Sequence, residues 1–553
     1  MVFTIKLRSG KGAVRGILTA FAAFLVYFLG IKEVIVIDMS GKDSLQIAMA
    51  VITCRLSRLI LRGLNRGGTS LPGKLAMRFR RDILAVTSQG VDTILVTGTN
   101  GKTTTAGMLA HAMEEAGRAP LCNRSGANLL SGVTAEFTAA ADLHGRPMRG
   151  RKIWDQLTDA DGKFGKLAVI ECDEGALRQV APLLKPCVIV VTNLFRDQLD
   201  RYGEVMHTLD AVREGIRLAP EAVLCLNADD SLVASLAMDV PNPVIWFGLE
   251  ETAVKTDSVV EMDPPERISD ARYCVRCGGE YTYRYHTYAH LGDFCCPDCG
   301  FARTAPDVAV TSIDEINRAG SLVHMLVPGK EAVPRKIVPQ KTADHKIVDQ
   351  KSVPQEIFQQ EITVKIALPA VYNIYNAAAA LSAWLAADLP LTEILKGLAD
   401  VHSSFGRMER FTIGEVFVQM ILVKNPAGCN QALDYLCTLK EPCTIVLCLN
   451  DLDADGHDIS WIWDVDYEKL CSCDNIRRVL VWGKRAEDLQ LRLKYAGFEE
   501  KRIRRIPEKE LKKLLDEIYK SQVPVVILPN YTAMLPLRDA LRRAAGKDSF
   551  WKG

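Results

Sequence analysis

A short apolar strand that runs straight into a glycine turn, a lysine and two threonines leaves a chain few choices of fold. Asp92–Thr97 (DTILVT) is such a strand, and Gly98-Thr99-Asn100-Gly101-Lys102-Thr103-Thr104 follows it and opens a helical stretch. Glycines let backbone N–H groups approach phosphate oxygens, and a helix N-terminus favours negative charge. Lys102 can then reach β- and γ-phosphates, and Thr103 can place a hydroxyl on Mg²⁺. The strict phosphate-loop spacing asks for glycine where Val96 stands, so the loop is a variant of that pattern. The plain alternative is a glycine turn; the strand before it and the helix after it favour a nucleotide site.

Further short apolar runs, Leu167–Ile170, Cys187–Val191 and Ala222–Leu226, alternate with helix-length segments, a rhythm that predicts an α/β fold on a mostly parallel, doubly covered sheet. Residues 272–305 interrupt it with a cysteine-rich module, and residues 329–360 with a biased tract. In that tract VPRK, VPQK, VDQK and VPQE start at Val333, Val338, Val348 and Val353, and its Lys and Gln cannot bury a core, so it reads as a disordered or loop insertion. A separate C-terminal α/β domain is expected near Arg410, with runs Thr444–Leu449, Arg478–Trp482 and Val523–Leu528. The expected division is an extension over 1–44, a nucleotide-binding domain over 45–409 carrying both insertions, and a Rossmann-like domain over 410–553.

The 553 residues carry a net charge of +1, which excludes a generally polybasic nucleic-acid binder. Sixteen cysteines are too dilute for a disulfide scaffold and fit a reducing compartment. Four of them, Cys274-x2-Cys277 and Cys296-x2-Cys299, match the two knuckles of a four-thiolate zinc ribbon. Tyr281, Tyr283, Tyr285 and Tyr288 between the knuckles suggest a small β-hairpin; Cys295 reads as spare, and His286 and His290 as surface residues. With no open coordination position implied, the zinc is expected to be structural.

Gly16–Ile31 is an uncharged run of 16 residues after Lys6, Arg8, Lys11 and Arg15. It lies just short of the about 20 residues that span a bilayer, so a membrane anchor, a buried helix and an upstream extension all remain open. Residues 44–81 hold eight basic residues and no acid, with Arg55, Arg58, Arg62 and Arg66 at helical spacing opposite Leu56, Leu59, Ile60 and Leu64. That suits either a helix on an anionic membrane or phosphorylated substrate, or a solvated face. Near the other end, Asp451, Asp453, Asp455, Asp458, Asp464 and Asp466 crowd 16 residues, which is also what a loop rich in turn residues looks like.

The loop TGTNGKTT resembles the ATP loop of the Mur ligase family, and other segments agree in order. They are Glu171 in Val-Ile-Glu-Cys-Asp-Glu-Gly, Thr192-Asn193-Leu194 with Asp197-Gln198-Leu199-Asp200-Arg201, Asn373 and Asn376, and Gly406-Arg407-Met408-Glu409. The resemblance implies that Glu171 and Thr103 hold Mg²⁺, that Asn373 and Asn376 contact the nucleotide, and that Arg407 reaches ATP phosphate. Such enzymes activate a carboxylate as an acyl phosphate and let an amine attack it. The chain departs from the amino-acid ligases where Gln198 replaces their histidine, where residues 201–220 contain no lysine to be carbamylated, and where Ile421-Leu422-Val423-Lys424-Asn425-Pro426 stands in place of their Asp-Tyr-Ala-His-Asn-Pro.

These departures, with the cysteine module, are similar to the MurT branch over roughly residues 45–545. Its strings are Asn193–Glu204, Asn425-Pro426-Ala427-Gly428 and Asp455–Asp464. That resemblance implies a subunit of a lipid II isoglutaminyl synthase that amidates the α-carboxylate of D-glutamate with ammonia from a GatD-type glutamine amidotransferase. It implies a place on the inner face of the plasma membrane, and an Asp, first Asp455 and then Asp458, completing the partner's triad. Trp461 and Trp463, alternating on a strand-like segment, would be interface anchors. The open alternatives are an amino-acid ligase of the Mur or folylpolyglutamate type and a non-catalytic nucleotide-binding scaffold.

Overall fold

The computed structural model describes residues 42–63, 70–123, 127–147, 166–196, 205–254, 270–329, 359–401 and 406–546. The Gly16–Ile31 run, Leu64, Arg66, the side chain of Arg62, Asp197–Glu204 and the Val-Pro tract lie outside the described residues.

Among the described residues the chain forms two compact units, one within residues 1–91 and 121–166 and the other within 92–120 and 167–553. In the first unit the helix Lys42–Gly63 packs on Ser70–Phe79 and Leu130–Ala140, with Ala50, Cys54, Ala76, Ile83 and Ala135 between them. Gly73 is a glycine because a Cβ there would run into the Ser131 carbonyl. The long helix is apolar enough over Asp43–Leu61 to cross a membrane by length and composition. Its arginines nevertheless turn into the protein: Arg58 forks onto Glu136 at 2.8 and 2.9 Å, and Arg55 Nε donates to the Ala139 carbonyl at 3.3 Å. Arg55 and Arg58 therefore do not form the free basic face that their spacing suggested.

In the second unit the principal sheet is built from β1 (Val91–Thr97), β2 (Lys166–Glu171), β3 (Val188–Val191), β4 (Val223–Asn227), β5 (Val244–Leu249), β8 (Val308–Asn317), β9 (Gly320–Pro328) and β10 (Gln359–Ile366). The hairpin β6 (Thr282–Tyr288) and β7 (Leu291–Cys295) stands apart from it. The order is β10-β9-β8-β5-β4-β3-β1-β2. Strands from β1 through β3, β4 and β5 to β8 pair in parallel, and β8, β9 and β10 close the edge antiparallel. All four residues of β3 and all five of β4 are buried, as continuous apolar strands of a covered parallel sheet must be. Each such Val, Ile or Leu contributes about 2 kcal/mol by leaving water.

The C-terminal strands β11 (Arg407–Ile413), β12 (Val416–Ile421), β13 (Cys443–Cys448), β14 (Ile476–Trp482), β15 (Ile503–Arg505) and β16 (Val525–Pro529) form a second sheet in the order β11-β12-β16-β13-β14-β15. It is parallel except for the β11–β12 hairpin. Val418, Met420, Val446, Leu480 and Ile527 pack there against Met534, Leu537 and Leu541 of the helix Tyr531–Ala544. The fold is thus of the α/β class that the strand rhythm indicates. One feature runs against the cysteine count: Cys437 and Cys473 are joined by a disulfide, their Cα atoms 5.5 Å apart. The end of the helix Pro426–Thr438 and the turn before β14 bring them together across 36 residues, which spacing alone does not reveal.

Candidate functional site

β1 ends at Thr97, and the helix Lys102–Glu115 begins five residues later, with Gly101 at its N-cap. A glycine cap brings no side-chain acceptor, so the first-turn N–H groups are left for an anion. Gly98 and Gly101 have φ of 119° and 87°, a region closed to most side chains. A Cβ on Gly101 would strike Asn376 Oδ1, and one on Gly98 would strike Thr192 Oγ1.

The segment after β3 grips the loop from behind. Thr99 N donates to the Asn193 carbonyl at 2.8 Å and Asn100 N to Asn193 Oδ1 at 2.9 Å. Asn193 Nδ2 and Thr192 Oγ1 both donate to the Asn100 carbonyl, at 3.1 and 2.7 Å. On the other side Thr105 Oγ1 donates to Asn376 Oδ1 at 3.4 Å, and Asn376 Nδ2 to Asn373 Oδ1 at 3.1 Å. Both asparagines are buried on the helix Val371–Ala386 and brace the loop. From the C-terminal part, Asn425 exchanges amide hydrogen bonds with Asn100, at 3.2 and 3.4 Å, while its Oδ1 caps the helix Pro426–Thr438 through Gly428 N at 2.9 Å.

The charged groups converge in front of this loop. Thr103 Oγ1 donates to the Glu171 carboxylate at the end of β2. Lys102 Nζ donates to the carbonyls of Gly98 and Thr99 and lies 3.1 Å from both oxygens of Glu174. Lys102 and Glu174 are both buried; burial pushes the Glu174 carboxyl above its ordinary range, with Lys102 and Lys424 opposing. Burial lowers the Arg407 guanidinium pKa, and the Glu171 carboxylate opposes that. Arg407 is set by its own turn. Met408 has φ 58°, and Glu409 accepts from Gly406 N at 2.9 Å and from Arg538 Nε at 2.6 Å. A hydroxyl, a carboxylate and an ammonium around uncapped N–H groups, with the Arg407 guanidinium within electrostatic reach of Glu171, fit a polyphosphate with a hard divalent cation.

The cysteines meet as well. The sulfurs of Cys274, Cys277, Cys296 and Cys299 lie within 4.8 Å of one another. The Cys274 thiol is lowered to about 6: burial opposes this, and N–H groups of Arg276 and Cys277, with Tyr281 and Cys299, outweigh it. Four converging sulfurs fit a tetrahedral Zn²⁺. β6 and β7 are the hairpin that the tyrosines suggested, packed through Tyr281 and Phe294. His290 is not a surface residue: it is fully buried, with Nε2 3.2 Å from Asp230 Oδ1 and its ring 4.8 Å from that of Phe195. It lies on the turn of a hairpin that meets Asp229 and Asp230 just after β4, where Gly292 N donates to the Asp229 carbonyl at 2.9 Å, a placement that a sequence pattern does not show. His286 is half-buried, stacked on Tyr283.

In the acidic string Asp455 turns inward. It is 9% exposed, and its two oxygens accept from Thr532 N, at 2.9 Å, and from Thr532 Oγ1, while burial raises its carboxyl pKa. Asp458 is exposed and caps Ser460 N at 2.8 Å, a bond that lowers its carboxyl pKa. Trp461 and Trp463 do not alternate on a strand. Ser460–Asp464 is a 3₁₀ helix, with Ile462 buried beneath and Trp463 49% exposed against Tyr495.

Two features escaped the sequence reading. Glu174 is the acid three residues beyond Glu171, and nothing in the string marks it as the partner of Lys102. Asp229 is a buried hub that accepts from Arg303 Nε at 2.7 Å, Leu249 N at 2.8 Å and Tyr375 O–H at 2.5 Å. It ties the cysteine hairpin's surroundings to the helix that carries Asn373 and Asn376.

Sequence comparison matches residues 96–268 to the Mur ligase middle domain and residues 422–534 to the MurT ligase C-terminal family. The chain is 31% identical over 506 residues, 90% of this chain and 97% of the relative, to the lipid II isoglutaminyl synthase (glutamine-hydrolyzing) subunit MurT of Streptococcus pneumoniae. It is 30% identical over 496 residues, 90% and 98% of the two chains, to the same subunit of Staphylococcus aureus. Among solved structures, MurF from Acinetobacter baumannii superposes with a TM-score of 0.54 at 16% identity, covering 85% of this chain and 80% of that one. A pseudomurein peptide ligase type C from Methanothermus fervidus gives 0.52 at 19% identity, over 82% and 78%.

Proposed function

This chain belongs to the MurT branch of the Mur ligases, and we propose that it uses ATP to make the α-carboxylate of the D-glutamate in lipid II reactive toward ammonia, yielding D-isoglutamine. The observation that carries the reading is the convergence of Lys102, Thr103 and Glu171 at the loop after β1, with Arg407 acting electrostatically on Glu171.

In this scheme a carboxylate oxygen of the substrate attacks the γ-phosphorus of ATP and ADP leaves. Ammonia then attacks the acyl carbon, phosphate leaves, and the nitrogen loses a proton. Lys102 and Arg407 neutralise the transferred phosphoryl group, and the glycine loop's N–H groups hold its neighbours. Thr103 and Glu171 would hold Mg²⁺, which supplies charge neutralisation on the phosphates when bound. Asn373, Asn376 and Asn193 fix the loop. Ammonia has no carboxylate to be recognised, which suits Lys424-Asn425-Pro426 in place of the amino-acid ligases' motif.

The words "glutamine-hydrolyzing" and "subunit" in the relatives' names support a GatD-type glutaminase partner as the ammonia source. Asp458, the exposed acid of the C-terminal string, is the better placed of the two candidates to orient a histidine of that partner, since Asp455 is engaged by Thr532. The substrate is lipid-linked, so the chain would work at the inner face of the membrane. The four-thiolate zinc is structural in this scheme.

The test is mass spectrometry of lipid II after incubation with ATP, Mg²⁺ and ammonium. Amidation lowers the mass by about one unit, and Lys102→Ala lowers the rate at least about a hundredfold. A mass gain of an added amino acid, or a Lys102→Ala protein of normal rate, would overturn the reading.

A further inference from the structure

Arg196 is the last described residue of the segment that grips the phosphate loop from behind, and its side chain leaves that segment for the C-terminal part. Its Nη2 pairs with Asp464, and its Nε lies 3.9 Å from Asp270, whose Oδ2 also accepts from Arg196 N at 2.9 Å. Asp464 closes the 3₁₀ helix that carries Trp461 and Trp463, and Arg196 is also the cation that acts on Asp458. Arg196, Asp464 and Asp270 are each partly buried, at 30, 23 and 16% side-chain exposure.

The other end of the connection is equally definite. Phe195 N donates to Thr99 Oγ1 at 3.0 Å, Thr99 Oγ1 donates to the Phe195 carbonyl at 3.2 Å, and Leu194 N donates to Asp230 Oδ2 at 2.8 Å. Thr99 is a residue of the phosphate loop itself. Hydrogen bonds and one ion pair therefore run from the loop through Phe195 and Arg196 to the 3₁₀ helix, across 268 residues of sequence.

We propose that Arg196 is a positioning residue that couples the state of the nucleotide loop to the surface carrying Asp458 and Trp463, so that amidation driven by glutamine depends on it and amidation driven by free ammonium does not. The proposal rests on the functional reading above and adds its regulation. Arg196 touches no reacting atom in that reading; it fixes where the C-terminal acids stand when the loop is engaged. A parallel route from Asn100 through Asn425 to the helix Pro426–Thr438, and from Asn430 to Asp466 N at 2.8 Å, limits the loss to a partial one.

The experiment uses the complex of the full chain with its glutaminase subunit, lipid II, ATP and Mg²⁺, and reads amide formation with either glutamine or ammonium chloride as the nitrogen source. In Arg196→Gln the glutamine-driven rate is expected to fall about tenfold while the ammonium-driven rate stays within about twofold. Asp464→Asn should reproduce the split, and Arg196→Lys should recover part of it, which also serves if the glutamine variant folds poorly. Equal loss with both nitrogen sources, no loss with either, or failure of a folded Arg196→Gln chain to form the complex overturns the proposal. A wild-type complex inert with both sources overturns instead the functional reading beneath it.

Discussion

Both oxygens of Glu174 stand 3.1 Å from Lys102 Nζ, in a place where each side chain is under a tenth exposed. An anion that recruits Lys102 must displace a buried carboxylate, so the pair raises the cost of binding phosphate. Glu174→Gln removes the competitor and leaves Lys102 held by two carbonyls. The nucleotide dissociation constant should drop about fivefold, read by titration of a fluorescent ADP. A weaker complex would mean that Glu174 shapes the site rather than competes for it. Glu171 could be found in the sequence because Val-Ile-Glu-Cys-Asp-Glu-Gly at a strand end resembles the Mur ligase segment that places a Mg²⁺ carboxylate there. Glu174 could not, because its pairing depends on β2 lying beside β1, where Cys172 N reaches the Val96 carbonyl at 2.9 Å.

Among the elements, the cysteine hairpin was legible because two knuckles at fixed spacing admit few geometries. What spacing hid is how deeply the hairpin is built in. Thr287 and Tyr375 share a hydrogen bond of 2.8 Å, and Tyr375 adjoins Asn376, which braces the phosphate loop. Cys296→Ser should therefore reduce bound zinc from stoichiometric to near none, lower the melting temperature by several degrees and change the fluorescence of Trp246, which packs against the hairpin core. Unchanged melting with zinc lost would show the ribbon to be an independent appendage. The acidic-aromatic string was legible only as a composition. Its 3₁₀ turn places Ile462 inward and Trp463 outward, and no alternation of residue types announced that.

Across the whole molecule, the contacts that set the site join residues far apart in sequence, and these were the least legible. Glu409 of the turn beside Arg407 is forked by Arg538 of the last helix at 2.6 and 3.1 Å, 129 residues away, with Arg542 at 3.5 Å. Arg538→Met leaves that buried carboxylate short of its main partner and should cost about 3 kcal/mol in denaturant unfolding. A loss below about 1 kcal/mol would show that Arg542 suffices in its place. Such pairs follow from tertiary placement, and neither partner differs in type from an ordinary surface charge.

The reciprocal amides of Asn100 and Asn425, 325 positions apart, behave as a lock and its matching key within one polypeptide. Anyone grafting the C-terminal portion of one such ligase onto the ATP-binding portion of another inherits half of each pair, and a hybrid with mismatched halves would assemble its phosphate loop without its tether.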